Sequence, residues 1–200
     1  MDLCDAASAA DALDEIRRRY GTITSIIHAA GVPTAPSLTK TTKEMLRVLN
    51  PKVTGVLNIL DYLSRNNLSL DNLVMASSLS SIITLQGTED YSASNLFMDA
   101  LAMKGHKNVK RMLAIQWPSW KDAGMASTYK NEALKSIISK ASISTRIGKR
   151  IIRETLGMSG VVAYSPVPPP QMARMVEEIQ LKGSARQMPT VREHFSLTDK

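Results

Sequence analysis

A doubly wound α/β fold built on a parallel sheet is what this 200-residue sequence predicts, and three observations predict it. Short apolar runs recur along the chain with the density expected of strands buried on both faces. Between them lie longer stretches whose apolar residues follow helical spacing. One run, Leu73-Val74-Met75-Ala76, ends in the pair Ser77-Ser78, and helical spacing resumes at Tyr91 with Ala93, Leu96, Phe97, Ala100 and Leu101. Open parallel sheets take ligands beyond the carboxyl ends of their strands. A hydroxyl at that strand end and a phenol at the start of the next helix are therefore placed to meet over one substrate.

Taken in order, Met1-Asp2-Leu3-Cys4-Asp5 reads as the tail of a strand, followed by a capped helix over about residues 6–19. The acids of that helix come early (Asp11, Asp14, Glu15) and its three arginines late, as the helix dipole favours, and Gly21 stops it. Residues 23–28 form a second short strand running into Ala29-Ala30-Gly31, small residues that let backbone approach a ligand closely. Leucine or valine at 46, 49, 53, 56, 60 and 63 then traces one buried helical stripe. Asn50-Pro51 interrupts it, the proline standing as a first-turn residue or at a kink, and Lys52 lies beside the stripe. Residues 111–117 give a further strand around Met112-Leu113-Ala114-Ile115. Residues 128–156 are helical, polar and rich in serine and lysine, which suits either a mobile lid or a plain surface segment. Val161 to Tyr164 is a last strand, Ser165 to Pro170 is extended and semi-rigid, and an amphipathic helix over 171–181 precedes a linker tail. The expected organisation is one catalytic unit over 1–165 with an appended segment over 166–200.

An apolar content of 44% supports one sizeable core. No uncharged apolar run of about 18 residues occurs, so no membrane span is expected, and the first residues lack the basic-then-apolar order of a secretory leader. The single cysteine, Cys4, excludes an internal disulfide and points to a reducing, cytoplasmic compartment. His28, His106 and His194 have no ligand spacing for a metal. The net charge of +7 is uneven, −3 over residues 1–100 and +10 over 101–200. That asymmetry is either a solvated basic face or a surface that steers an acidic partner. Nucleic acid is disfavoured, because the basic residues are not interleaved with aromatics, which make up 4% of the chain.

Ser78 and Tyr91 are thirteen positions apart, and Asn95 follows Tyr91 by four, on the same helix face. Spacing alone fits a serine-rich loop and an ordinary helix equally well. The full segment, Ser77-Ser78 through Tyr91-Ser-Ala-Ser-Asn95-Leu-Phe-Met-Asp-Ala-Leu-Ala102, resembles the active-site segment of the short-chain dehydrogenase/reductase superfamily, and within it the ketoreductase domains of polyketide and fatty acid synthases. Most of that superfamily has lysine four residues after the tyrosine. The synthase ketoreductases have asparagine there and a lysine upstream, as Asn95 and Lys52 (in Asn-Pro-Lys-Val-Thr-Gly) stand here. Ile27-His28-Ala29-Ala30-Gly31-Val32 and Gln116-Trp117-Pro118-Ser119-Trp120, with Gly124-Met125-Ala126 beyond, match in the same order.

The resemblance implies a Rossmann-like sheet of strand order 3-2-1-4-5-6-7 that is incomplete here. The first two βα units and the Gly-rich turn that cradles a pyrophosphate have no counterpart among these residues, so an unpaired sheet edge is expected. It also implies reduction of a β-ketoacyl thioester with NADPH, with Ser78 binding the ketone oxygen and Tyr91 delivering the proton. Lys52 would lower the Tyr91 pKa and hold the cofactor ribose, and Asn95 would orient Lys52 and a relay water. Cofactor contacts are implied for Asp2, Leu3, Ala29, Ala30, Gly31, Lys52, Tyr91, Pro118 and Ser119; Pro118 departs from the usual glycine of that turn. The implied partners are an acidic acyl carrier protein bearing the thioester and the remainder of a multidomain synthase. Two other classes stay open: a different reductase of the superfamily, and a non-catalytic structural or docking unit that holds NADPH poorly.

Overall fold

The computed structural model describes residues 1–35, 37–122 and 141–168, with isolated positions at 139, 170, 171, 174, 177 and 178. Its sheet has four parallel strands in the order β1-β2-β3-β4, namely Ser25–His28, Leu70–Ser78, Val109–Trp117 and Gly160–Ala163. The helices are α1 (Ala6–Tyr20), α2 (Thr42–Leu49), α3 (Thr54–Arg65), α4 (Glu89–Lys104) and α5 (Thr145–Thr155). Each crossover carries helix, so every strand runs the same way and all four carboxyl ends share one rim.

Side chains alternate across the two central strands. Leu73 and Met75 of β2 and Met112 and Ala114 of β3 pack with Leu13, Val56, Ile59, Met98 and Ala102, contributed by α1, α3 and α4. Val74, Leu113 and Ile115 point the other way, onto Ile143 and Ile151 of the α5 region with Trp117 and Trp120 at the margin. Both faces are apolar, which is why these strands read as continuous runs. α5 lies hard on the tryptophans: a Cβ on Gly148 would sit 2.1 Å from a ring carbon of Trp120, and Trp117 meets Trp120 edge-on with centroids 5.2 Å apart. Among the described residues β1 pairs only with β2, which leaves it at the edge of the sheet. Its Ile27, in register with Val74, is 58% exposed.

Three expectations need correction. Residues 1–5 are not a strand tail: the Asp2 carboxylate accepts from the Cys4 N–H (2.9 Å) and Ser8 Oγ from the Asp2 N–H (2.9 Å), so local bonds fold them into a turn that leads to the Asp5 cap of α1. The stripe over 46–63 is two helices, because Pro51 has no N–H to continue α2 and the chain turns through 50–53 before α3. Lys52 is in that turn and is 3% exposed. The helix expected over 128–156 is corrected at 141–144, which form a turn and a bridge from Ile143 to Trp120 before α5 begins at Thr145; residues 128–138, Gly124-Met125-Ala126 and most of the helix expected over 171–181 lie outside the described residues.

Candidate active site

β2 ends in Ser78, which caps a single 3-10 turn, Leu79–Ser81. Its Oγ accepts from the Ser80 N–H at 3.1 Å and donates to Ser80 Oγ at 3.0 Å, which fixes the hydroxyl at the sheet rim. Tyr91 lies in the first turn of α4 and faces the same rim. The two, with Lys52, Ala29, Pro118 and Ser119, line one cavity of about 460 Å³ whose wall also takes in Ile27, Val74, Ile115 and Ile152. That volume falls in the range of small-molecule sites.

Lys52 reaches the cavity from beneath. Its Nζ donates to the Ala76 carbonyl (2.7 Å) and lies 5.8 Å from the centroid of the Tyr91 ring. Gly31 makes room for it, since a Cβ there would come within 3.1 Å of Lys52 Cε. Burial pulls the ammonium down to about 8, against the opposing pull of the Asp99 carboxylate. For Tyr91, burial raises the pKa above its ordinary value, and hydrogen bonds from the Ser78 and Asn95 side chains oppose it. The lowering expected from Lys52 is therefore not what dominates: the ammonium sits against the ring face, and desolvation of the phenol outweighs the polar contacts.

Asn95, one turn beyond Tyr91, is fully buried. Its Nδ2 donates to the Tyr91 carbonyl (2.7 Å) and its own carbonyl accepts from Ser77 Oγ (3.4 Å). Its Oδ1 is buried without a partner, an acceptor aimed at nothing the protein supplies. Of the other expected contacts, Ala30, Gly31, Asp2 and Leu3 are not in the cavity wall. Gly31 touches it through Lys52. Leu3 packs on the opposite face, beside Gly55, with its carbonyl accepting from Asn58 Nδ2 at 2.8 Å.

Three features escaped the sequence reading. Lys40 and Asp90 form an ion pair at 2.7 Å with side chains 11% and 1% exposed. Thr34 Oγ1 donates to Asp90 (3.0 Å) and accepts from Lys40 (2.7 Å). Because Asp90 precedes Tyr91 and also accepts the Tyr91 N–H (2.8 Å), this pair ties the Pro33–Thr34 wall of the cavity to the first turn of α4. Fifty residues separate its partners, so no local pattern reveals it. His28, at the end of β1, is 2% exposed and depressed to about 4, mainly by burial and then by the charge of Lys52. Asp99 is buried on α4 four residues past Asn95; an acid on the inward face of a helix was a legible signal.

Comparison with known proteins adds the lineage. A family model described as the KR domain matches residues 1–122. The chain is similar to polyketide synthase PksN of Bacillus subtilis (strain 168), 33% identical over 132 residues that cover 62% of this chain and 2% of that protein. It is similar to chalcone synthase cfoA of Aspergillus candidus, 33% identical over 177 residues, 86% of this chain and 6% of that one. Among solved structures it resembles a ketoreductase domain from the bacillaene assembly line with a TM-score of 0.72 and 27% identity, over 88% of this chain and 44% of that chain. The chain thus spans a few per cent of the curated relatives and under half of that solved domain.

Proposed function

Because the chain belongs to the KR (ketoreductase) domain family, oxidoreductases of the short-chain dehydrogenase/reductase fold, we propose that its cavity reduces a β-ketoacyl thioester to the β-hydroxyacyl thioester with NADPH. The observation that carries this reading is the convergence of Ser78, Tyr91 and Lys52 on one cavity, from a strand end, a helix start and an interhelical turn. The residues fit the nicotinamide end of such a cofactor: small side chains at Ala29 and Ala76, Gly31 behind Lys52, and a buried ammonium beside the wall. Bound NADPH would supply the hydride to the carbonyl carbon.

Ser78 Oγ stands at the sheet rim, and by turning its proton from Ser80 Oγ to the ketone oxygen it would stabilise the developing alkoxide. Tyr91 supplies the proton to that oxygen. Burial keeps its phenol protonated at neutral pH, the state a general acid needs before the step. Lys52 then offsets the phenolate left behind, and Asn95 Oδ1 provides an acceptor for a water that returns the proton. Delivery of the thioester by an acidic acyl carrier protein of a multidomain synthase is supported by α5. Its Arg146, Lys149, Arg150 and Arg153 are exposed on one side, while Ile152 of the same helix lines the cavity.

A second reading, a ketoreductase-like unit that retains NADPH poorly, is favoured by the position of Asp2 and Leu3 outside the cavity. Quenching of NADPH fluorescence by the purified chain separates the two. For the catalytic reading, Tyr91→Phe should abolish consumption of NADPH with a β-ketoacyl thioester while the circular dichroism spectrum is unchanged; near-normal turnover would remove Tyr91 from the mechanism.

A further inference from the structure

Tyr91 sits in the first turn of α4, where the leading N–H groups of a helix have no carbonyl behind them. Such a turn is ordinarily held by the side chain of the residue before it. Thr88 makes no cap bond here, and its hydroxyl donates back to the Leu85 carbonyl at 2.6 Å. The Tyr91 N–H is taken instead by Asp90 Oδ1 at 2.8 Å. That carboxylate is not free to turn. Lys40 Nζ donates to the same oxygen at 2.7 Å. Thr34 Oγ1, which accepts from Lys40 at 2.7 Å, lies 3.0 and 3.2 Å from the two carboxylate oxygens. The Lys40 and Asp90 side chains are 11% and 1% exposed, so salt and water screen them little.

The other end of the pair is equally fixed. Lys40 directly precedes Thr41, whose capping box opens α2. The Ser37 N–H donates to the Gly87 carbonyl at 3.1 Å, just ahead of α4. The same segment carries Pro33 and Thr34 of the cavity wall, and Arg47 Nη2 of α2 donates to the Pro33 carbonyl at 3.4 Å. Thr34 thus touches the cavity and the pair at once. Any shift of the first turn of α4 against this wall breaks bonds to a buried carboxylate, which is costly.

We propose that Lys40 and Asp90 are positioning residues of the site: their buried pair, joined through Thr34, fixes the first turn of α4 so that the Tyr91 phenol and the Pro33–Thr34 wall keep one spacing across the cavity. The proposal takes its catalytic meaning from the ketoreductase reading, because a misplacement of about 1 Å costs about a hundredfold in rate. The placement of the phenol is independent of that reading. A pair that served stability alone would be replaceable by two apolar side chains with no effect on the cavity.

The test uses the full chain labelled with ¹³C at tyrosine Cζ, read by NMR without cofactor or substrate, the Tyr91 signal being identified by its loss in Tyr91→Phe. In Lys40→Met/Asp90→Leu the urea midpoint should stay near that of the unmodified chain, while the Tyr91 signal moves and the Tyr62 signal does not. Lys40→Arg, which keeps the charge, should leave the Tyr91 signal in place. An unmoved Tyr91 signal in the double variant would overturn the proposal. The unmodified chain, which needs no variant to fold, gives a second reading. There the Ser37 and Tyr91 amides, belonging to one linked unit, should open to hydrogen exchange with equilibrium constants within about threefold of each other; a larger gap would overturn it equally. If the chain reduces a β-ketoacyl thioester, kcat of the double variant should fall by about tenfold or more with KM changed by less than about threefold, and turnover that survives with stability would make the pair merely structural. If no form of the chain reduces the thioester, the tyrosine signal and the exchange still decide where the pair holds the phenol, and the ketoreductase reading fails separately.

Discussion

Replacing Lys52 by methionine tests the electrostatics of the site through stability rather than turnover. In the folded chain Lys52 releases its proton near 8, against 10.5 for the ordinary side chain. Between those values the unfolded chain binds more protons than the folded one, so stability rises with pH. The full depression corresponds to about 3 kcal/mol at about 1.4 kcal/mol per pK unit. Integrated between about pH 7 and pH 9.5, it gives the unmodified chain a gain of about 2 kcal/mol that Lys52→Met lacks. The absolute stability of the variant is a poorer guide, because the substitution also frees the Ala76 carbonyl and leaves Asp99 without its counter-charge. The difference in pH dependence cancels both costs, along with every other titrating group. Urea unfolding of the two chains, followed by circular dichroism at the two pH values, reads it directly. Parallel pH dependence, within about 0.5 kcal/mol, would mean that Lys52 is solvated and that the buried ammonium is wrong.

The remaining predictions concern the supports of the site. His28 charges only near pH 4 when folded, against 6.5 when not, so acidification from about pH 7 to pH 4.5 should cost the chain about 2–3 kcal/mol; His28→Leu should remove that loss in urea titrations. Lys40→Met strands the Asp90 carboxylate, whose side chain is 1% exposed, and should destabilise by about 3–5 kcal/mol, with Lys40→Met/Asp90→Leu recovering most of it in the same assay. Gly148→Ala drives a methyl into the Trp120 ring, 2.1 Å away as the chain stands, and should cost about 2 kcal/mol or more. Intrinsic tryptophan fluorescence should change with it, and an unaltered urea midpoint would refute the packing of α5 described above.

The periodicities in this chain determine its class and most of its elements. Apolar runs such as Leu73–Ala76 and Met112–Ile115 have the length and density of strands covered on both faces, and the serine pair and Tyr91 mark where a strand ends and a helix begins. Their spacing, with Asn95 and the upstream Lys52, carried the resemblance because each sits at a fixed offset from a local structural boundary. Tertiary structure alone decided the rest. Whether Lys52 is solvated or buried depends on Gly31, Ala76 and Asp99 arriving around it from three other parts of the chain. The Lys40–Asp90 pair is likewise invisible in sequence. A period reports which way one element faces; the charge state of a buried group is set by desolvation and by partners that only the folded chain brings within range.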